Sequence, residues 1–235
     1  MNIILFGAHP DDLEILCGGT IAKYVSQGHR VTMAVATNGN VGSPNLSREK
    51  IREVRMQEAK DAATILGAHD FIWLDENDEF LFDNESTRRK FVDAIRRAQA
   101  EVVITHNPND YHPDHVACSK LASDARILSA VRLIESEHSH LQKIPELIFM
   151  DSVAGLDFHP QHYVDISDTM ELKKQAVRGH KSQDTWIDAI FGYDLEEIVK
   201  RQSAFRGLQC GKSHAEGFII PPTWPRSNAA RLLPE

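Results

Sequence analysis

Cysteine is scarce: Cys17, Cys118 and Cys210 are the only three in 235 residues, with no C-x-x-C pair and no even-numbered set. A disulfide framework is therefore not expected, and reduced thiols in a cytosol are the simplest account. No apolar run approaches the length of a membrane span, and the N-terminus has no basic region followed by a long apolar segment. The expectation is a cytoplasmic chain without a membrane partner. Clusters of lysine and arginine are missing too, and 26 basic against 34 acidic residues give a formal net charge of −8. A nucleic-acid partner is not expected, because neutralising phosphates requires a basic surface. The first strand-to-helix turn lacks both G-x-G-x-x-G and a Lys-Ser/Thr pair, and its adjacent Asp11 and Asp12 would repel phosphate, which weighs against a nucleotide-binding module. No internal repeat or low-complexity tract is present.

What the chain does contain is two short polar stretches, Ala8-His9-Pro10-Asp11-Asp12 and His112-Pro113-Asp114-His115, each following an apolar run. Ile3 to Phe6 precedes the first and Val102 to Ile104 the second; both runs read as buried strands. In an open parallel sheet the loops leaving the carboxyl ends of strands form the binding crevice, so the two stretches are expected to converge. Zinc accepts imidazole nitrogen and carboxylate oxygen, and a catalytic zinc keeps three protein ligands with one position for water. His9, Asp12 and His115 supply that set. Asp11 is then left to act as general base, and His112 to stabilise an oxyanion or protonate a leaving amine, with Asp114 orienting the His112 ring. Iron or cobalt would accept the same ligands. Each stretch also has an ordinary reading, since Asp-Asp after a strand commonly caps a helix and His-Pro occurs in plain turns. Their joint occurrence at two strand exits favours the site.

Composition and pattern together predict an α/β fold, a Rossmann-like, mostly parallel sheet flanked by helices with an irregular C-terminal part. With 42% hydrophobic residues, 1–235 is long enough for a single domain with a full core and too short for two. Strands are expected at 3–6, 31–36, 71–74, 101–105 and 147–150. Helices are expected up to about Gln27, from a Ser47 cap to Leu66, over 86–100 and over 114–130. Beyond Asp151 the alternation weakens. Residues 170–178 and 195–205 read as helices, and this part either caps the crevice or builds a subunit contact, which leaves a homo-oligomer possible. The glycine-containing 38–46 loop, at the same sheet edge as the motifs, is either a substrate loop or a connector.

With these residues in view, the chain resembles the LmbE-like, or PIG-L, family of zinc-dependent N-deacetylases. The likeness rests on the two motifs, on Gly18-Gly19, on Arg55-Met56-Gln57-Glu58 with Ala62 and Leu66-Gly67, on His180-Lys181-Ser182-Gln183, and on Ala215-Glu216-Gly217-Phe218. It runs to about Pro222, and Cys17 ahead of the glycine pair is a local departure. The resemblance implies His9, Asp12 and His115 as zinc ligands, Asp11 as base, His112 as oxyanion partner or acid, and Arg55 facing the substrate. It points to a small-molecule partner, an N-acetylated amino sugar of the N-acetylglucosamine type or its glycoside. The alternatives are an amidase acting on a thiol-sugar conjugate and a metal-binding protein without catalysis.

Several single residues have two readings. Arg55 either meets substrate or forms an exposed i, i+3 pair with Glu58. His180 either contributes to substrate binding or does not belong to the site, and His106 either lines the pocket or is a satisfied wall residue. Cys118, three residues after His115, is a soft extra ligand or, more commonly for such a residue, a small buried side chain. His29, His69, His138 and His140 read as surface positions, and His159, His162 and His214 stay open.

Overall fold

A computed structural model describes residues 1–183, 187, 192, 194–224 and 232–234. The chain forms β1 (Asn2–Gly7), α1 (Asp12–Ser26), β2 (Arg30–Thr37), α2 (Arg48–Ile65), β3 (Asp70–Glu76), α3 (Glu85–Arg97), β4 (Val102–Thr105) and α4 (Pro113–Leu128). There follow β5 (Glu146–Met150), β6 (His162–Asp165), α5 (Met170–Val177), α6 (Leu195–Cys210) and β7 (Ala215–Ile219). One sheet of seven strands runs in the order β3-β2-β1-β4-β5-β7-β6. The first five strands are parallel, whereas β7 is antiparallel to both β5 and β6.

The apolar runs are continuous because helices cover both faces of the sheet. In β1, Ile3 and Leu5 enter a core shared with α1, α2, α5 and α6, while Ile4 and Phe6 enter a second core with α3 and α4. That alternation is the pleat, with successive side chains on opposite faces. Phe6 stacks on Phe91 of α3 at 4.7 Å between ring centroids. Side-chain oxygens close the helix starts: Ser47 accepts from the Lys50 amide at 3.3 Å and Asn84 from the Thr87 amide at 3.0 Å. Among the described residues no helix is long and apolar enough to cross a membrane.

The C-terminal part contributes the two expected helices, α5 and α6, and, beyond expectation, two strands that extend the sheet. These strands are four and five residues long, and β7 carries Glu216 and Gly217, so neither has a strong strand pattern. Their place is set by tertiary bonds. Helix α1 is kinked at Cys17 (φ −145°, ψ 21°), which leaves the amides of Gly19 and Thr20 without helical acceptors. The Glu216 carboxylate accepts from both, at 3.0 and 2.8 Å, and from the buried Lys173 ammonium at 2.6 Å. Gly19 also lets Ile166, just past β6, pack close, since a Cβ there would lie 2.7 Å from the Ile166 side chain. The Gly-Gly pair and the Glu-x-Phe segment are thus two halves of one contact.

Strand β1 lies between β2 and β4, where the winding of the sheet reverses. Loops from the carboxyl ends of β1 and β4 diverge to opposite faces there and leave a crevice between them. Truncating Phe91 to Ala should cost about 3–5 kcal/mol through the lost stack and the cavity, and Ser47→Ala about 1 kcal/mol, both read from urea unfolding followed by circular dichroism.

Candidate metal centre

The loop after β1 is fixed by its own backbone. Thr37 donates its amide and its hydroxyl to the Ala8 carbonyl, each at 2.8 Å, and the Ala8 amide donates to His106 Nε2 at 2.9 Å. The His9 amide donates to Asp12 Oδ2 at 2.7 Å, which turns the chain into α1. Between them Asp11 adopts φ 140°, a conformation costly for a residue with a Cβ. The loop after β4 ends at His112, which caps α4 by accepting the Asp114 amide on Nδ1 at 3.2 Å.

His9, Asp12 and His115 meet between these loops. His115 Nε2 is 3.3 Å from His9 Nδ1 and 3.3 Å from Asp12 Oδ1, and His9 Nδ1 is 3.5 Å from Asp12 Oδ2. Ligand atoms about 2.0–2.2 Å from a tetrahedral metal stand about 3.3–3.5 Å apart; the donor types suit a divalent metal such as zinc and each separation matches that spacing, the two contacts to Asp12 using different carboxylate oxygens. Among the described residues three groups bring one ligand atom per residue within 4.8 Å of one another: His9 with His112 and His115, Asp12 with His106 and His115, and His9 with Asp78 and Glu79; His9, Asp12 and His115 are shared out among these groups and do not form one by themselves. The backbone discriminates between them. His112 Nδ1 and His106 Nε2 each accept a main-chain amide, whereas His9 Nδ1, His115 Nε2 and Asp12 Oδ1 accept none. Behind the imidazoles stand carboxylates. Asp110 Oδ1 is 3.1 Å from His115 Nδ1, and Asp114 Oδ2 and Asp78 Oδ1 lie 3.3 and 3.4 Å from His9 Nε2. Such partners orient a ligating histidine and raise its basicity.

The electrostatics favour positive charge at this point. Burial opposes protonation of His9, yet the Asp114 and Asp12 carboxylates raise its pKa well above the ordinary value. His115 is raised to about 9, against burial, by Asp12 and Asp110. Burial likewise pushes the Asp12 carboxyl up, and the His115 and His106 rings more than reverse this and hold it well below the carboxylate range. A cation competes with protons for the same lone pairs. Asp11 behaves differently: burial pushes it up to about 6, Arg55 restraining the rise and Asp12 adding to it. His112 is lowered by burial and by the charges of His9 and His115, and His106 falls to about 4 through burial and His115.

Of the residues singled out from the sequence, His9, Asp11, Asp12, His112 and His115 occupy this one crevice, the His112 ring lying 4.6 Å from that of His9 and 4.8 Å from that of His115. Three others sit differently from expectation. The Asp114 carboxylate turns to His9 and accepts the Leu81 amide at 3.1 Å, so it supports His9, and only the backbone of Asp114 touches the His112 ring. Arg55 is buried and donates to the Pro10 carbonyl and to Asp11, so its guanidinium does not face outward; Glu58, its supposed partner, accepts from the amide and hydroxyl of Ser182. His180 is fully buried, 3.5 Å from Glu14, and its charge acts on Asp11. Cys118 is buried with its thiol toward Thr105.

Asp78, Asp110 and His106 carry weight that the sequence reading did not give them as a supporting set. The available signal was position, since Asp78 follows β3 while His106 and Asp110 follow β4, at the same sheet edge as the motifs.

The family model for PIG-L, described as GlcNAc-PI de-N-acetylase, matches residues 4–126. The chain is similar to the diacetylchitobiose deacetylase of Thermococcus kodakarensis, 30% identical over 94% of this chain and 83% of that protein. It is also similar to the 4-oxalmesaconate hydratase of Pseudomonas putida, 25% identical over 90% and 82%. Among solved structures, the N,N'-diacetylchitobiose deacetylase from Pyrococcus horikoshii superposes with a TM-score of 0.81 at 27% identity, covering 94% of this chain and 83% of that one. The chain belongs to the PIG-L family. Asp110→Asn, which removes the charge behind His115, should weaken binding of an added divalent metal by about 10–100-fold in competition with a chelator.

Proposed function

We propose that the chain is a zinc-dependent N-deacetylase that releases acetate from an N-acetylated amino sugar of the N-acetylglucosamine type or its glycoside. The observation that carries this reading is the meeting of His9, Asp12 and His115 at the point where the sheet reverses its winding, with Asp11 next to Asp12 and near enough to Asp12 and His9 to feel their charge. Both deacetylase relatives act on an N-acetylated sugar by their names, and the similarity to them spans nearly the whole chain.

His9, Asp12 and His115 would hold the cation. A divalent cation there supplies a more acidic water and polarises the acetyl carbonyl. Asp11 takes the water proton on its carboxylate; with a pKa of about 6 it is largely ionised at neutral pH and still basic enough to accept. His112 spends Nδ1 on the Asp114 amide, so its neutral form carries the proton on Nε2 and hydrogen-bonds with it to the oxygen that gains charge as the carbonyl is attacked; the C–N bond then breaks as Asp11 passes its proton to the amine nitrogen, and acetate and the free amine leave. Asp78, Asp110 and Asp114 keep the two ligand imidazoles in place from behind. A second reading, water addition to an unsaturated acid, draws on the hydratase relative, because it needs the same base.

Metal analysis of the purified protein, joined to assays of acetate release from N-acetylglucosamine, its glycosides and a thiol-sugar conjugate, and of hydration of 4-oxalmesaconate, separates these readings. Acetate release from the sugars alone supports the proposal, and hydration alone replaces it. His115→Ala should lose the metal. Asp11→Asn should retain it and lose turnover by about 100-fold to 10,000-fold. Near-normal rates in the Asn variant would remove Asp11 from the role of base.

A further inference from the structure

We infer, building on the deacetylase reading above, that Phe80 and Phe82 form a stacking platform for a second pyranose ring, the one glycosidically attached to the acetylated sugar, so that this chain selects glycosides over the free monosaccharide. Among the described residues five aromatic side chains are more than half exposed, and three of them, Phe80, Phe82 and Tyr111, lie on the loops after β3 and β4 that border the crevice. The fold itself does not use the two phenylalanines. Leu81 between them is buried in the core with α3 and α4, and its amide donates to Asp114 Oδ1 at 3.1 Å. With Leu81 anchored inward, Phe80 and Phe82 stay outward at 58% and 63% exposure, their ring centroids 6.4 Å apart and their planes at 48°.

The turn that presents them is strained and touches the metal centre. Asp75 (φ 59°) and Glu79 (φ 65°) both adopt the left-handed conformation, which is costly for a residue with a Cβ and is retained where it aims side chains at a ligand. Asp78 Oδ1 lies 3.4 Å from His9 Nε2, and Glu79 Oε1 lies 3.5 Å from His112 Nε2. On the other loop the Tyr111 ring is 6.1 Å from the rings of both His112 and His115. A substrate whose acetamido group sits at His112 thus has Glu79 beside it, and the next side chain along the turn is Phe80. A phenyl ring offers nothing to a hydroxyl; its negative face takes the weakly positive C–H bonds of a pyranose whose hydroxyls are equatorial and remain in water. An alkyl group attached in place of the sugar fits less well, because it would strip water from the half-exposed Glu79 carboxylate.

The test compares the zinc-loaded wild-type protein with the double variant Phe80→Ala, Phe82→Ala and with Phe80→Tyr, Phe82→Tyr, each checked for metal content and thermal unfolding. Substrates are N-acetylglucosamine, N,N'-diacetylchitobiose and the octyl β-glycoside of N-acetylglucosamine. The wild-type protein should favour the disaccharide over the monosaccharide in kcat/KM. Alanine should cut that preference by about tenfold, through KM and not kcat, and tyrosine should restore it. No preference in the wild-type protein, a preference that survives alanine, or a loss confined to the octyl glycoside would overturn the inference. Sedimentation covers a further occupant: a smaller assembly in the alanine variant, with the disaccharide preference intact, would make the rings an interface between copies and overturn it likewise. Should the wild-type protein release no acetate from any of the three, the deacetylase reading falls, and saturation-transfer NMR with the disaccharide decides the platform alone. Transfer to the sugar's axial C–H protons that alanine abolishes supports it, and no transfer in the wild-type protein ends it.

Discussion

Buried negative charge facing two imidazoles at the crevice between β1 and β4 is the constraint around which the rest is arranged. Asp12, Asp78, Asp110 and Asp114 all lie within 3.5 Å of a nitrogen of His9 or His115. Carboxylates withdrawn from water repel one another strongly, so this grouping is tolerated only with compensating positive charge, on the rings or on a bound cation. The surrounding secondary structure supplies the geometry. β1 and β4 bring in the two loops, the first turn of α1 carries Asp12, α4 carries Asp114 and His115, and the turn after β3 carries Asp78.

Within that cluster the environment separates two neighbouring aspartates. Asp12 faces His115 and His106 and stays ionised, while Asp11, one residue earlier, faces a buried arginine and has its pKa pushed up to about 6. Adjacent residues with the same side chain are thus suited to ligation and to proton transfer, a division set by surroundings and not by residue type.

Much of this was legible in the sequence because the determinants are local. Ile3 to Phe6 and Val102 to Ile104 announce their strands by unbroken apolarity, Ser47 announces its helix, and the two His-Pro-Asp stretches sit where those strands end. What escaped notice depends on distant partners. β6 and β7 are too short and too polar to signal themselves, and Glu216 acquires its meaning only beside Gly19, Thr20 and Lys173. Nothing in a helical repeat reveals that Arg55 is buried with Gly39 and Gly42 closing over it, which excludes the exposed pair with Glu58. The Asp114 carboxylate was paired with its neighbour in sequence, His112, whereas the helix turns it toward His9.

The kink in α1 has a consequence for the order in which the molecule can be finished. Synthesis proceeds from the N-terminus, so the helix that carries Asp12 is made well before the carboxylate that accepts from its Gly19 and Thr20 amides, 197 and 196 residues further on. A nascent chain still lacking β7 has a cation at Lys173 and two unclaimed donors at Gly19 and Thr20 where the completed molecule has a closed contact. The helix that carries Asp12 is thus completed by a strand that follows it by almost the whole of the described fold.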